Sequence, residues 1–392
     1  MNFISKKLSI VLGAILLHLS IGSIYAWSIL TKPLMLYFDT PLPSVQLVFS
    51  IAIFCLGLTT IIGSKIIAHN KTSTNAIFAT IFFISGLLVS QLAIKYHSIY
   101  LLYLGYGVIG GIGVGIGYIT PISILITIFP NKRGFAIGSA IMGFGFASLI
   151  ASIIYKNILN IFDINYFFLL ISVIYTIMMI IASLLLSPIN SNLDLHTNNY
   201  QNINRLDIIY SKKFIIIWLI IFLNIFCGIS LLSIASLLLQ NLAHLTIAKA
   251  TIIIGFLGIA NGLGRIFWAS FSDLATRKLF YSIIMIVQIC CLIIMLNTSI
   301  NTFIIVGFLL IISCYGGGFA LLPAYLSDVY PVKLTTLVHG MILTAWSIAG
   351  LIGPYLTALI YKNQQKQDNI LLLMLITIFI AFILSLFLSK KN

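Results

Sequence analysis

The sequence contains no glutamate and only seven aspartates, and charged residues make up 7% of its 392 positions. None of the seven acids, Asp39, Asp163, Asp194, Asp207, Asp273, Asp328 and Asp368, falls within a long apolar run. That placement excludes a proton relay of membrane-buried carboxylates and leaves no buried carboxylate pair for acid–base chemistry. Cysteine is also scarce. All five, Cys55, Cys227, Cys290, Cys291 and Cys314, lie in apolar runs with no paired spacing, which points to packing rather than to a disulfide framework or a metal site. With no metal-ligand cluster and no nucleophile–base constellation, neither a cofactor nor an enzymatic activity is expected.

What the chain has in excess is apolar length. Hydrophobic residues make up 61% of it, against about half in a soluble domain, so a water-soluble fold could not cover its surface. A hydrocarbon core about 30 Å thick requires roughly 20 apolar residues per crossing. Twelve runs of about that length occur, uncharged but for Arg265, over 8–30, 45–63, 76–94, 99–129, 134–155 and 166–187, then 214–239, 250–271, 279–296, 302–326, 334–361 and 370–388. The longest polar stretch, rich in asparagine, separates the sixth run from the seventh. The pattern predicts an all-α membrane protein of twelve transmembrane helices in two six-helix bundles. Residues 1–187 and 213–392 form the bundles and 188–212 a cytoplasmic linker. The first run is longer than a signal-peptide core and is followed by no small-residue cleavage site, so it is expected to be retained.

Fourteen of the 21 lysines and arginines fall on the side of the N-terminus and six on the other, with Arg265 alone inside a span. Short cytoplasmic loops retain basic residues, so both termini are predicted to be cytoplasmic in an inner or plasma membrane. The formal charge of +14 is spread over loops on both sides, which argues against a nucleic-acid partner.

The halves repeat weakly. Tyr106, Gly107, Gly110, Gly111 and Pro121 of span four answer Tyr315, Gly316, Gly317, Gly318 and Pro323 of span ten, and Gly57–Leu58 answers Gly262–Leu263, setting Thr60 opposite Arg265. The glycine spacing of span four allows close helix approach in lipid. Its GxGxxG-like strings follow no strand, which excludes a nucleotide-binding reading. Transporters built from such repeats hold their solute near the midplane between the halves, which rock to expose it alternately, and that mechanism is expected here.

Arg265 is the candidate centre. It lies eight residues before Asp273, roughly 12 Å into its helix at 1.5 Å per residue. Burying an arginine in lipid costs at least about 2.5 kcal/mol, so it must face a cavity or a partner. With no acid in any span, its natural partner is an anion from solution, because a guanidinium binds a carboxylate through two parallel hydrogen bonds. The alternative is a structural arginine bonding backbone carbonyls or Asp273. Tyr25, Trp27, Tyr118, Tyr315 and Trp346 lie near the membrane centre, either as packing aromatics or, for the tyrosines, as a lining that orients a carboxylate. His18 and His339 read as polar packing residues that retain the capacity to titrate. Gly264, Arg265, Ser272, Asp273, Arg277 and Lys278 form a motif around the loop after span eight, where Asp273 could hold a gate with Arg277 and Lys278.

Four strings in order give the chain a resemblance to the oxalate/formate antiporter family of the major facilitator superfamily: Tyr25-Ala-Trp-Ser; Gly111-Ile-Gly-Val-Gly-Ile-Gly-Tyr with Phe129-Pro-Asn-Lys-Arg-Gly; Ala260-Asn-Gly-Leu-Gly-Arg-Ile-Phe-Trp; and Cys314-Tyr-Gly-Gly-Gly-Phe-Ala-Leu-Leu-Pro. The resemblance implies exchange of small carboxylates, with Arg265 on the substrate and Tyr25 and Tyr118 lining its site. It also implies a departure. Oxalate exchangers of the family carry a second cation, a lysine in span eleven, where this chain has Trp346, and two further aromatic positions have become Phe144 and Phe319. A single cation favours a monocarboxylate such as formate, lactate or pyruvate. The readings left open are another small solute, such as an amino acid or inorganic anion, and a non-transporting receptor of carrier ancestry. A monomer is expected.

Overall fold

The computed structural model describes residues 3–68, 71–128, 133–187, 205–272, 274–362 and 367–389. Among them, twelve helices are long and apolar enough to cross a membrane. They are α1 (Phe3–Ile21), α2 (Leu42–Ala68), α3 (Thr72–Lys95), α4 (Gly111–Ile128), α5 (Arg133–Phe162) and α6 (Phe167–Leu185) in the first half. The second half supplies α7 (Lys212–Ser233), α8 (Ile247–Ser272), α9 (Arg277–Asn297), α10 (Asn301–Val329), α11 (Val332–Tyr361) and α12 (Gln367–Leu386). A run of main-chain hydrogen bonds within each helix is what makes these segments tolerable in lipid, where no water can satisfy a free N–H or C=O.

Three predicted spans are not continuous helices. Span one tightens into a 3-10 turn at Gly22–Ala26 and resumes as a helix over Ser28–Phe38, and span seven breaks at Ile234 before a short helix, Ala235–Leu242. At each break a serine hydroxyl bonds back to the main chain. The Ser23 hydroxyl donates to the Ser20 carbonyl at 2.7 Å, and the Ser233 hydroxyl donates to the Ser230 carbonyl at 2.8 Å, each competing with the helical ladder one turn earlier. The first helix of each half is therefore bent at the same stage of its crossing, a structural echo of the sequence repeat. In span four, Tyr103–Gly110 is wound as a π-helix between Ile99–Leu102 and α4. Most of the interhalf linker lies outside the described residues, but its end carries a five-residue helix, Arg205–Ile209.

Burial sorts the helices into an inner and an outer set. Spans α3, α6, α9 and α12 are the least buried and present the exposed apolar side chains expected to meet lipid chains, among them Ile77, Ile177, Ile293 and Phe379. The halves meet along two seams, α2 against α11 and α5 against α8. At the second seam the backbones touch: a Cβ placed on Gly145 would lie 2.8 Å from the Gly262 Cα, and one on Gly258 would strike Ser148 and the Gly145 carbonyl. Lipid gives no hydrophobic drive to helix association, so such close packing supplies the adhesion. At the end of the bundle remote from the termini, the Gln46 amide of α2 donates to the Ser233 carbonyl of α7 at 2.8 Å and to Thr31 Oγ1 at 3.1 Å, tying the halves together.

The seam geometry predicts that Gly258→Leu destabilises the protein by about 1–3 kcal/mol through overpacking against backbone that cannot retreat. Gly340→Ala, whose new Cβ would meet nothing within 4 Å, is expected to leave the unfolding midpoint unchanged or slightly raised. Thermal unfolding in detergent checks the contrast.

Candidate functional site

Arg265 projects from α8 into the space between the halves and is only 7% exposed. Its guanidinium carbon stands 5.4 Å from the centre of the Phe319 ring on α10, a cation–π contact. The phenols of Tyr25, from the 3-10 turn of the first half, and Tyr118, from α4, lie close enough to interact with its charge. Tyr25 and Tyr315 share a hydrogen bond of 3.0 Å between their hydroxyls, which joins the halves beside the arginine. Nε and Nη1 of Arg265 have no hydrogen-bond partner among the described residues.

An aromatic wall surrounds this cation. Phe144 of α5 packs edge-on against Tyr25 at 5.0 Å and Tyr118 at 5.6 Å, and Trp346 of α11 packs against Tyr118 at 5.5 Å and Phe319 at 5.3 Å. Rings from α4, α5, α10 and α11 thus close around a charge carried by α8. Such a wall excludes water and raises the strength of any electrostatic contact made inside it. The indole N–H of Trp346 is also buried without a partner among the described residues, so the unspent hydrogen-bonding capacity of this cluster includes several donors.

The structure brings Arg265, Tyr25, Tyr118, Tyr315 and Trp346 together, with Phe144 and Phe319 between them. Trp27 lies elsewhere: it packs on Phe49 and Tyr106 inside the first half. His18 is nearer the site than its apolar sequence context implied. Its Nε2 is 3.1 Å from the Tyr118 carbonyl, and its ring abuts those of Tyr118 and Phe144. His339 sits on α11 with Nε2 unpartnered among the described residues.

Arg277 pairs with Asp328 at the end of α10 at 2.6 Å, and Lys278 Nζ donates to the Leu386 carbonyl of α12 at 2.7 Å. Gly264 abuts Ser313 of α10. Each of these contacts lies within the second half, and Asp273 lies outside the described residues. Two polar residues went unnoticed in sequence. Gln46 was hidden by its apolar neighbours, and Asn261 could have been found from its spacing, one helical turn before Arg265.

The Major Facilitator Superfamily model matches residues 10–354, and again 217–392, so the chain belongs to that superfamily. It is 22% identical over 389 residues to the oxalate:formate antiporter of Oxalobacter formigenes, covering 97% of this chain and 91% of that protein. It is 23% identical over 360 residues to the MFS-type transporter YhjX of Escherichia coli (strain K12), covering 89% and 87%. Among solved structures it superposes on a D-xylose-proton symporter with a TM-score of 0.76 at 15% identity, covering 99% of this chain and 97% of that one. A bacterial homologue of the human lysosomal transporter Spinster, inward-facing and occupied, gives 0.74 at 14% identity with the same coverage. These structural likenesses establish the fold.

A buried, underpaired guanidinium costs stability. Arg265→Gln is therefore expected to raise the thermal midpoint of the ligand-free protein, by the equivalent of about 1–3 kcal/mol, and to abolish any stabilisation by millimolar formate. A purely structural arginine predicts the reverse, a lower midpoint. Thermal unfolding with and without formate separates them.

Proposed function

We propose that the protein is a carrier of small monocarboxylates of the formate, lactate and pyruvate type, working by alternating access with Arg265 as the anion receptor. The observation that carries this reading is the buried guanidinium of Arg265 with Nε and Nη1 unspent. A carboxylate supplies two acceptor oxygens to its N–H groups and neutralises its charge at once. Tyr25 and Tyr118 reach the same space from the opposite half, so a bound carboxylate is held by both bodies and draws them together.

Charge decides between modes of transport. With the site empty, closing the halves buries a cation without a counter-ion, at a cost of several kcal/mol. With one monocarboxylate bound, the pair is neutral. The loaded carrier therefore crosses faster than the empty one, which favours exchange over uniport. The same reasoning sets the valence: Trp346 stands where the oxalate exchangers that the sequence resembles carry a lysine, so a dicarboxylate leaves one charge unanswered.

In this reading residues 1–187 and 213–392 rock as two units joined by 188–212, in a protein that acts as a monomer with both termini in the cytoplasm. The Gln46 contacts to Thr31 and Ser233 then close the outer face. Arg277 and Lys278 keep the second half rigid as it moves.

The test is counterflow in proteoliposomes preloaded with formate, lactate, pyruvate, oxalate or an amino acid. Uptake of a monocarboxylate is expected, reduced at least about a hundredfold in Arg265→Gln. Trp346→Lys is expected to gain oxalate exchange. Oxalate exchange by the wild type would contradict the valence argument, and a folded wild type that moves no carboxylate would end the reading altogether.

A further inference from the structure

Asn261 is 1% exposed, yet neither its amide nitrogen nor its amide oxygen has a hydrogen-bond partner among the described residues. Leaving both ends of a buried amide unsatisfied is costly, and such groups are rare in folded proteins. Its place makes the omission informative. It stands four residues before Arg265 on α8, on the same helical face, and a long helical side chain leans back toward the preceding turn, so the Arg265 guanidinium is carried toward the level of Asn261. The amide oxygen is an acceptor and Arg265 has unspent donors, but the two do not bond to each other. Across from Asn261 is Gly316 of α10, where an added Cβ would collide with the Asn261 amide and main-chain oxygens, and the next residue along is Tyr315 of the tyrosine pair.

We infer that Asn261 is a specificity-determining residue that binds the oxygen on C2 of a short monocarboxylate whose carboxylate lies on Arg265. The inference rests on the reading of Arg265 as an anion receptor and narrows its substrate class to 2-hydroxy and 2-oxo acids. A 2-hydroxyl offers both a donor and an acceptor, matching the two kinds of orphaned atom on the amide, and a 2-oxo group answers the N–H alone. Unsubstituted acids leave the amide as it stands, and a site built to bond a hydroxyl rejects an analogue lacking it far more strongly than a purely apolar pocket can.

Lactate and propionate differ by that hydroxyl alone, so the test is competition by each against counterflow of labelled formate, in wild type, Asn261→Ala and Asn261→Asp. Wild type is expected to prefer lactate over propionate by at least about tenfold, and Asn261→Ala to reduce the ratio to within about threefold. Asn261→Asp places an acid one helical turn before Arg265 on the same face and is expected to lose formate counterflow itself at least about a hundredfold, with its folding verified by thermal unfolding. A wild type without preference, an unchanged ratio in Asn261→Ala, or a folded Asn261→Asp that still exchanges formate like wild type would each overturn the inference while leaving an anion carrier intact. Absence of formate counterflow in the wild type would instead remove the parent reading, and this one with it.

Discussion

The constraint on which the rest of the structure depends is a cation placed deep in a membrane protein with unspent bonding capacity. Arg265 lies between two six-helix bundles, over the ring of Phe319 and beside phenols from the opposite half, with Nε and Nη1 unpartnered among the described residues. A cation in this position is costly to any protein whose only task is to be stable. The aromatic groups around it lower that cost without cancelling the charge, which is the condition a reversible anion site needs.

The seams explain how such a site can move. Gly145 and Gly258 bring α5 and α8 into backbone contact across the halves, while Arg277–Asp328 and the Lys278 bond to Leu386 bind helices of one half to each other. Side-chain hydrogen bonds between the halves include neutral ones, Tyr25 to Tyr315 and Gln46 to the Ser233 carbonyl. Neutral hydrogen bonds are worth about 1 kcal/mol each, small enough to break and reform in each cycle. The breaks at Gly22–Ala26 and Ile234 adjoin both of these contacts, Tyr25 lying in the first and Ser233 ending the helix before the second.

Much of the fold was legible because lipid imposes so strict a length. Twelve apolar runs became twelve spans, and the central arginine stood out as the single charge well inside one. The helix breaks were less visible, since a hydropathy reading weighs length and polarity and not the main-chain hydrogen bonding that a break changes. Tyr25, Tyr118, Tyr315 and Trp346 were legible as candidates because each lies near the middle of its span. Arg277 and Lys278 were seen as basic residues near a loop, but their actual partners, Asp328 and Leu386, are 51 and 108 residues away in sequence. No local pattern reveals such pairs. Asn261 and Gln46 were missed because one amide among apolar neighbours reads as incidental until its environment shows which of its atoms lack partners.

The central claim is that the Arg265 guanidinium itself holds the transported anion, and an experimental structure of the protein with bound lactate tests it most directly. The account predicts a lactate carboxylate at roughly 3 Å from the Arg265 nitrogens, enclosed by Tyr25, Tyr118 and Trp346. Lactate bound elsewhere, with Arg265 bonded to main-chain carbonyls or to an aspartate, would contradict it.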